Sequence, residues 1–406
     1  MENSLKKNLS WNTIGMILYN FAIWVFSVLI LRLAGATESG YYAIASSIGN
    51  TFYAISLWGM RSFIVSDQEH HYSYIDYLCS RCIAIVVTII LMIGVILVSN
   101  YSKDVIYVLV TYSLFKCAEA LIELFESFAQ QKLVMDINAK SMVIRGIVYI
   151  LVFFISLKLT EKSYVSFALI TICSLIILFT FNFRKMNKVI SFKENIDKSK
   201  VYSILKKCFP IMLFELLAAA IVAIPRLFYE RIGSTEKLGI YVSIYTMVVF
   251  LQLVINILIY TFAPYMAKTY AEKKMNQFKK YVLIVTGSAI GLGVLAEVLV
   301  YLIGHPVMSL VFGSLAGEKY SYLYLGIISG VTLALTWLIS QIFVIFGKNN
   351  AQVIPAIISI VTCFILSKFL IDGIDCNKIS IVLILSNMSF VISSYLLMKK
   401  LSRGVI

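Results

Sequence analysis

Charge is scarce in this chain. Only 14% of its 406 residues are Asp, Glu, Lys or Arg, against roughly 25% in an ordinary soluble domain. That scarcity leaves no segment polar enough to build a conventional soluble fold. The alternation of apolar and polar residues that marks a transmembrane β-barrel is missing too. The seven cysteines do not suggest a disulfide framework, because Cys117, Cys173 and Cys363 fall inside apolar runs. A single Cys79-Ser-Arg-Cys82 pair lies downstream of His70 and His71. Without a second CxxC it reads as two cysteines at a helix entry rather than a zinc site, and no metal is expected. No GxxxxGK[ST] phosphate loop occurs, which argues against direct use of ATP.

What the chain has instead is roughly a dozen apolar stretches of about 20 residues, each long enough to cross the ~30 Å hydrocarbon core as a helix. Hydrophobic residues make up 60% of it. Backbone polar groups in lipid need internal partners, which helices supply. The fold class is therefore all-α, a polytopic membrane protein with about 12 transmembrane helices. Spans are expected near 11–33, 40–63, 80–99, 105–127, 141–159, 163–183, 208–230, 239–262, 281–303, 322–346, 351–371 and 379–398. Ala34-Gly35-Ala36 resembles a signal-peptide cleavage site. The run before it exceeds the usual ~7–15 apolar residues and contains Asn20 and Arg32, so it is expected to remain as a span.

The formal net charge is +14. Its distribution assigns it to topology rather than to a nucleic-acid partner. Arg184, Lys185, Lys188, Lys193, Lys198, Lys200, Lys206 and Lys207 share one loop, and Lys268, Lys273, Lys274, Lys279 and Lys280 another. The tail adds Lys399, Lys400 and Arg403. By the positive-inside rule these segments and both termini are cytoplasmic. No large loop remains for the other side. The segment 266–281 reads as a basic amphipathic helix at the interface, with Tyr270 and Phe278 among its lysines.

A weak internal repeat divides the chain. Arg32, Gly40 and Tyr42 recur as Arg231, Gly239 and Tyr241, each 199 positions later. Six spans separate the copies, which gives two halves of the same orientation, an architecture of transporters with the substrate site between the halves. The expected organisation is a six-helix bundle over 1–183, a basic linker over 184–207, and a second bundle over 208–406.

Function must then reside in the few polar groups within the spans. Lys116, Glu119, Glu123, Glu126 and Gln130 follow one another by three or four residues and form a stripe on one helix face. A charge at the bilayer centre costs roughly 2.5–3.5 kcal/mol on insertion scales, so this stripe faces a wet cavity or internal partners. Lys116 and Glu119 are close enough in sequence to pair, which leaves Glu123 over. Glu215 and Arg226 share a face of the seventh span between Pro210 and Pro225, prolines that invite kinks. Asn20, Arg32, Arg61 and Arg145 add polar groups to other spans, Arg61 and Arg145 within snorkelling reach of the interface. Glu297 stands alone, as a packing partner or a proton carrier. Arginine binds phosphate bidentately and stays charged, so Lys116, Arg145 and Arg226 suit a diphosphate. Buried carboxylates at Glu119, Glu123 and Glu215 suit a coupling ion.

Several segments resemble a known family. Gly40-Tyr41-Tyr42 with Gly59-Met60-Arg61-Ser62-Phe63 and Val65-Ser66-Asp67 is similar to the second-span region of Wzx-type polysaccharide flippases, in the multidrug/oligosaccharidyl-lipid/polysaccharide exporter superfamily. Lys116-Cys-Ala-Glu119, Gln130-Gln131, Met135-Asp136 and Ser141 to Arg145-Gly146 resemble their fourth-to-fifth span stretch. Pro210, Ile224-Pro225-Arg226-Leu227, Gly239-Ile-Tyr241 and Ala263-Pro264 resemble the start of their second half. The resemblance implies two six-helix bundles around a cationic cavity in the bacterial cytoplasmic membrane. It implies transfer of an undecaprenyl-diphosphate-linked oligosaccharide for capsule or O-antigen between leaflets, without a cofactor other than a coupling proton or sodium ion. Arg61, Lys116, Glu119, Arg145 and Arg226 are the positions it marks, with Arg32 and Asn20 as further polar candidates. Membrane lipid is the surrounding partner, and a polysaccharide polymerase and chain-length regulator are the expected protein partners.

Three rivals remain open, one of them a structural membrane scaffold, which would not need several buried charges. A drug or cation antiporter of the same superfamily would use an acidic cavity, which Glu119, Glu123 and Glu215 permit and Lys116 and Arg226 oppose. A polymerase or other membrane enzyme needs a catalytic set at the interface. Asp372-Gly-Ile-Asp375 and His305 are the best candidates and form no convincing set.

Overall fold

The computed structural model describes residues 2–67 and 71–402, so His70 and Arg403 lie outside the described residues. Among them no strand occurs. Twelve long helices carry the fold: α1 (Glu2–Leu29), α2 (Gly35–Leu57), α3 (Tyr74–Val98), α4 (Lys103–Gln131), α5 (Met135–Thr160), α6 (Ser163–Ile177), α7 (Lys198–Ile232), α8 (Thr235–Ala271), α9 (Met275–Phe312), α10 (Tyr322–Ile345), α11 (Val353–Leu370) and α12 (Asn377–Ser402). One continuous apolar stretch, Gly15–Ser66, holds 52 residues. Straight, it would be about 78 Å long, more than twice the membrane core. It is interrupted by a π-helical turn at Ile30–Ala34 and by Gly35 at φ +84°, a conformation open to glycine. It therefore supplies two spans, α1 and α2.

Local chemistry sets the helix starts. Ser73 and Asp76 form a reciprocal capping box ahead of α3, satisfying two orphan N–H groups. Ser102 and Ser234 accept from backbone N–H groups at the starts of α4 and α8. At the end of α2, Trp58 takes a left-handed conformation. Its indole N–H donates to the Leu205 carbonyl of α7 at 2.9 Å, and a short helix, Met60–Ser66, follows. Asp67 then accepts from the Tyr77 hydroxyl at 3.0 Å and from the His71 backbone at 3.0 Å.

Two sequence expectations change. The segment 266–281 forms no separate interfacial helix. α8 and α9 instead run on as helices of 37 and 38 residues and turn sharply at 272–274. Tyr270 and Phe278 face one another across that turn and stack on Phe346, because burying both rings outweighs laying them on lipid. Pro210 and Pro225 lie within α7 without ending it.

The chain divides into two compact units, Met1–Ala219 and Ala220–Ile406, with the division inside α7. In the first unit α2 packs on α3 and α4, α4 on α6, and α5 on both α1 and α6. In the second, α8 packs on α9 and α10, α10 on α12, and α11 on α12. The second half of α7 meets α11, where Cys363 Sγ donates to the Ile221 carbonyl at 3.4 Å and Phe228 packs edge-on against Phe364. The order of packing is thus the same in both units. Tyr42 and Tyr241, a matched pair of the sequence repeat, are both buried.

Within the first unit α1 approaches α5 closely. A Cβ added at Gly15 would stand 2.8 Å from the Ala139 carbonyl oxygen, the small-residue contact that lets membrane helices pack backbone to backbone. Phe26, Phe115, Tyr149, Phe153 and Phe167 form an aromatic core, with Phe26 and Phe153 stacked at 4.2 Å. Met60, Tyr77, Phe125, Phe128, Met186 and Ile204 form a second cluster. The second unit has its own, built on Ile255, Ile259, Met266, Phe278 and Ile342.

Candidate functional site

The stripe on α4 is the charged core of the first unit. Arg145 of α5, 2% exposed, donates one Nη to Glu119 Oε2 at 2.7 Å and the other to Glu126 Oε1. Glu119 also accepts from the Tyr149 hydroxyl at 2.6 Å and from the Tyr19 hydroxyl. The Arg145 guanidinium lies over the Tyr19 ring, 4.5 Å from its centroid. Two carboxylates, one guanidinium and two phenols thus pair inside the bundle, leaving Arg145 Nε without a hydrogen bond, and such pairing is the condition under which buried charge is tolerated.

Glu123, one turn further along the stripe, has its own arginine. Arg81 of α3 is fully buried. It donates to Glu123 Oε2 at 2.8 Å and to the Ser56 carbonyl at 3.0 Å. Ser127 donates to Glu123 Oε1 at 3.2 Å. Arg61 completes this set from the short helix after α2. Its Nη1 stands 3.8 Å from Glu123, and Nε and Nη2 share Gln130 Oε1 at 3.1 and 3.0 Å. Glu215 of α7 approaches the same group, within electrostatic range of Glu123 and Arg81, and makes no hydrogen bond among the described residues.

Lys116 does not pair with Glu119. Its ammonium sits against aromatic faces, 4.9 Å from the Tyr53 centroid and 5.5 Å from that of Tyr112. Ring quadrupoles replace a carboxylate as its neighbour. Nor is Glu123 left over, since Arg81 takes it. Arg145 does not snorkel, and Arg61 is tied to Gln130. Asn20 turns back on its own helix and donates to the Met16 carbonyl at 2.8 Å. Arg32 is exposed in the π-helical turn after α1.

Among the described residues the second unit holds one strongly buried cation. Arg226 of α7 is 8% exposed, with its Cζ 5.1 Å above the Tyr245 ring. Among the described residues it has no carboxylate partner, and its Nε has no hydrogen bond. Glu230, one turn on, pairs with Arg231 at 3.9 Å. Glu297 Oε1 of α9 is also buried and has no hydrogen bond among the described residues. Hydroxyls and amides also pair in this interior. Tyr241 meets Ser380 at 2.7 Å, Tyr245 meets Ser329 at 3.1 Å, and Asn387 donates to Thr332 at 3.3 Å.

Sequence reasoning missed Arg81, Tyr19, Tyr149 and Tyr53. The signal for Arg81 was present. Ser73-x-x-Asp76 is a helix-start box, and it places Arg81 seven residues, about 10 Å, inside α3 rather than at its mouth. The tyrosines carry no comparable signal. The enzyme candidates do not assemble. His305 packs edge-on against Tyr320, while Asp372 pairs with Lys378 at 2.5 Å. Cys79 and Cys82 are free thiols, and His71 is bound to Asp67 at 3.2 Å.

Comparison with known proteins decides the family. Residues 5–270 match a family described as polysaccharide biosynthesis protein. The chain belongs to that family. It is 23% identical over 408 residues to the capsular polysaccharide biosynthesis protein CapF of Staphylococcus aureus, covering 97% of this chain and 99% of that one. Among solved structures, the lipid II flippase MurJ in an inward closed conformation aligns with a TM-score of 0.73 at 13% identity, over 96% of this chain and 87% of that chain. The Vibrio cholerae MATE transporter VcmN aligns at 0.66 and 14% identity, over 99% and 98%. A MOP superfamily transporter from Pyrococcus furiosus aligns at 0.60 and 14%, over 98% and 94%. This member of the polysaccharide biosynthesis family therefore has the helical fold of those transporters, as the residue resemblance implied.

Proposed function

We propose that the chain is a flippase that carries undecaprenyl-diphosphate-linked oligosaccharide repeat units from the cytoplasmic to the outer leaflet of the bacterial cytoplasmic membrane by alternating access. It is not an enzyme in this reading, and both termini face the cytoplasm. One observation carries it. Glu119, Glu123 and Glu126 are each held by a buried arginine, whereas Lys116 and Arg226 have aromatic rings in place of carboxylates. The free capacity of the membrane interior is therefore for an anion. A cation antiporter needs the opposite arrangement, whereas the three carboxylates of the α4 stripe are already held by arginine.

A diphosphate supplies the missing anion. Lys116 meets it as a point charge, and Arg61 offers a planar fork. Around the α4 stripe four cations (Arg61, Arg81, Lys116, Arg145) stand against four carboxylates (Glu119, Glu123, Glu126, Glu215). Loading a proton or sodium ion on one carboxylate tips that balance positive and favours the diphosphate, and unloading it favours release. Glu119 and Glu123 are fixed by their arginines. Glu215 is not, so the coupling ion is assigned to Glu215. A polysaccharide polymerase and chain-length regulator would receive the product.

The test is reconstitution. Proteoliposomes holding the purified chain should expose a lipid-linked oligosaccharide to an external glycosidase faster than protein-free vesicles do. Equal rates with and without protein would remove the flippase reading.

A further inference from the structure

Arg226 is an arginine without a counter-charge in the interior of a membrane unit. A buried guanidinium left unpaired is costly, yet the neighbouring groups do nothing to neutralise it. Tyr245 offers its ring face. The Gln252 carboxamide lies against the Tyr245 hydroxyl, and Gln252 Nε2 has no hydrogen-bond partner. Ser329, 3.1 Å from that hydroxyl, fixes its position. Arg226 Nε is likewise unpartnered. Two orphan donors thus flank one aromatic ring, with the guanidinium carbon already over its face.

Charge stoichiometry narrows the ligand. Among the described residues no second cation joins Arg226 in this cluster. A diphosphate carries at least two charges and calls for several cations, as the first unit provides. One guanidinium fork matches one carboxylate. The surrounding tyrosine, serine and glutamine side chains are the groups that bind sugar hydroxyls.

We propose that Arg226, Tyr245 and Gln252 form a subsite for the carboxylate of an acidic sugar in the carried glycan, a proposal that rests on the lipid-linked glycan reading above. Arg226 holds the carboxylate through its fork. Gln252 donates its free N–H to the same group or to the adjacent hydroxyl, and Tyr245 keeps the guanidinium flat.

The experiment uses the purified full-length chain in detergent and measures binding of three probes by ligand-observed NMR: glucuronate, glucose and pyrophosphate. Glucuronate should bind wild type in a manner that Arg226→Gln weakens on the order of ten- to a hundredfold, the range for losing a hydrogen bond to a charged group. Arg226→Lys, which keeps the charge and loses the fork, should restore part of it. Gln252→Leu should weaken glucuronate several-fold and serves if the Arg226 variants unfold. Glucose binding should not depend on Arg226. Glucuronate binding that is equal in wild type and Arg226→Gln would overturn the proposal. So would pyrophosphate being the probe that depends on Arg226. Because binding is read without transport, a failed flippase assay leaves this result separately readable.

Discussion

The two units share an order of helix packing and differ in what fills it. In the first, α4 carries Lys116, Glu119, Glu123 and Glu126, met by Arg81 and Arg145. In the second, the counterpart α10 has no charged residue from end to end, and its contacts are hydroxyl and amide. Tyr245 meets Ser329 and Asn387 donates to Thr332 on α10, the helix matching the one where the first unit places glutamate against arginine, and between α11 and α12 Ser359 donates to the Ser386 carbonyl at 2.7 Å. The second unit shows that the counterpart of α4 packs without ion pairs. The charged network is therefore not demanded by the packing, and since buried ion pairs gain little over apolar replacements, its presence points to function.

Breaking the network from one side should have the largest effect on stability. Arg145→Ala leaves Glu119 and Glu126 buried without a cation and should destabilise the protein by about 3–5 kcal/mol in thermal unfolding. Removing both sides together, Arg145→Met with Glu119→Gln and Glu126→Gln, should restore much of that stability and still abolish export. Restored export in that triple variant would make the network structural after all. Arg226→Ala orphans no carboxylate, so it should insert and fold as wild type while export of surface polysaccharide falls about tenfold or more, the loss expected for one charged hydrogen bond. Normal surface polysaccharide would remove Arg226 from the site.

Glu215→Gln should flatten the pH dependence of transport in proteoliposomes, because it removes the carboxylate that no arginine holds. An unchanged profile would move the coupling ion to another group. The smallest effect belongs to the uncharged interior. Ser359→Ala should cost about 1 kcal/mol and leave transport unaltered, since the hydroxyl closes only a helix–helix contact. A Ser359→Ala loss as large as that of Arg145→Ala would erase the contrast between the units.

Much of this was legible in the sequence. Run length gave the spans, and the matched Arg32/Arg231, Gly40/Gly239 and Tyr42/Tyr241 gave a repeat that reappears in the packing. The α4 stripe was legible as a face because helical periodicity is local. Its partners were not. Arg145 meets Glu119 across 26 positions and Arg81 meets Glu123 across 42, and no local pattern encodes which of several cations arrives. The local pairing of Lys116 with Glu119 fails because Tyr53, from α2, takes the ammonium first. The turn at 272–274 misled for a similar reason. Lysines around Tyr270 and Phe278 look interfacial until Phe346, far along the chain, supplies a stacking partner.

The most direct test of the central claim is the lipid-linked oligosaccharide content of cells lacking this protein, resolved by membrane leaflet. The account predicts that undecaprenyl-diphosphate oligosaccharide accumulates in the cytoplasmic leaflet and surface glycan disappears. Single repeat units reaching the outer leaflet normally but remaining unpolymerised would contradict it and make the protein a polymerase.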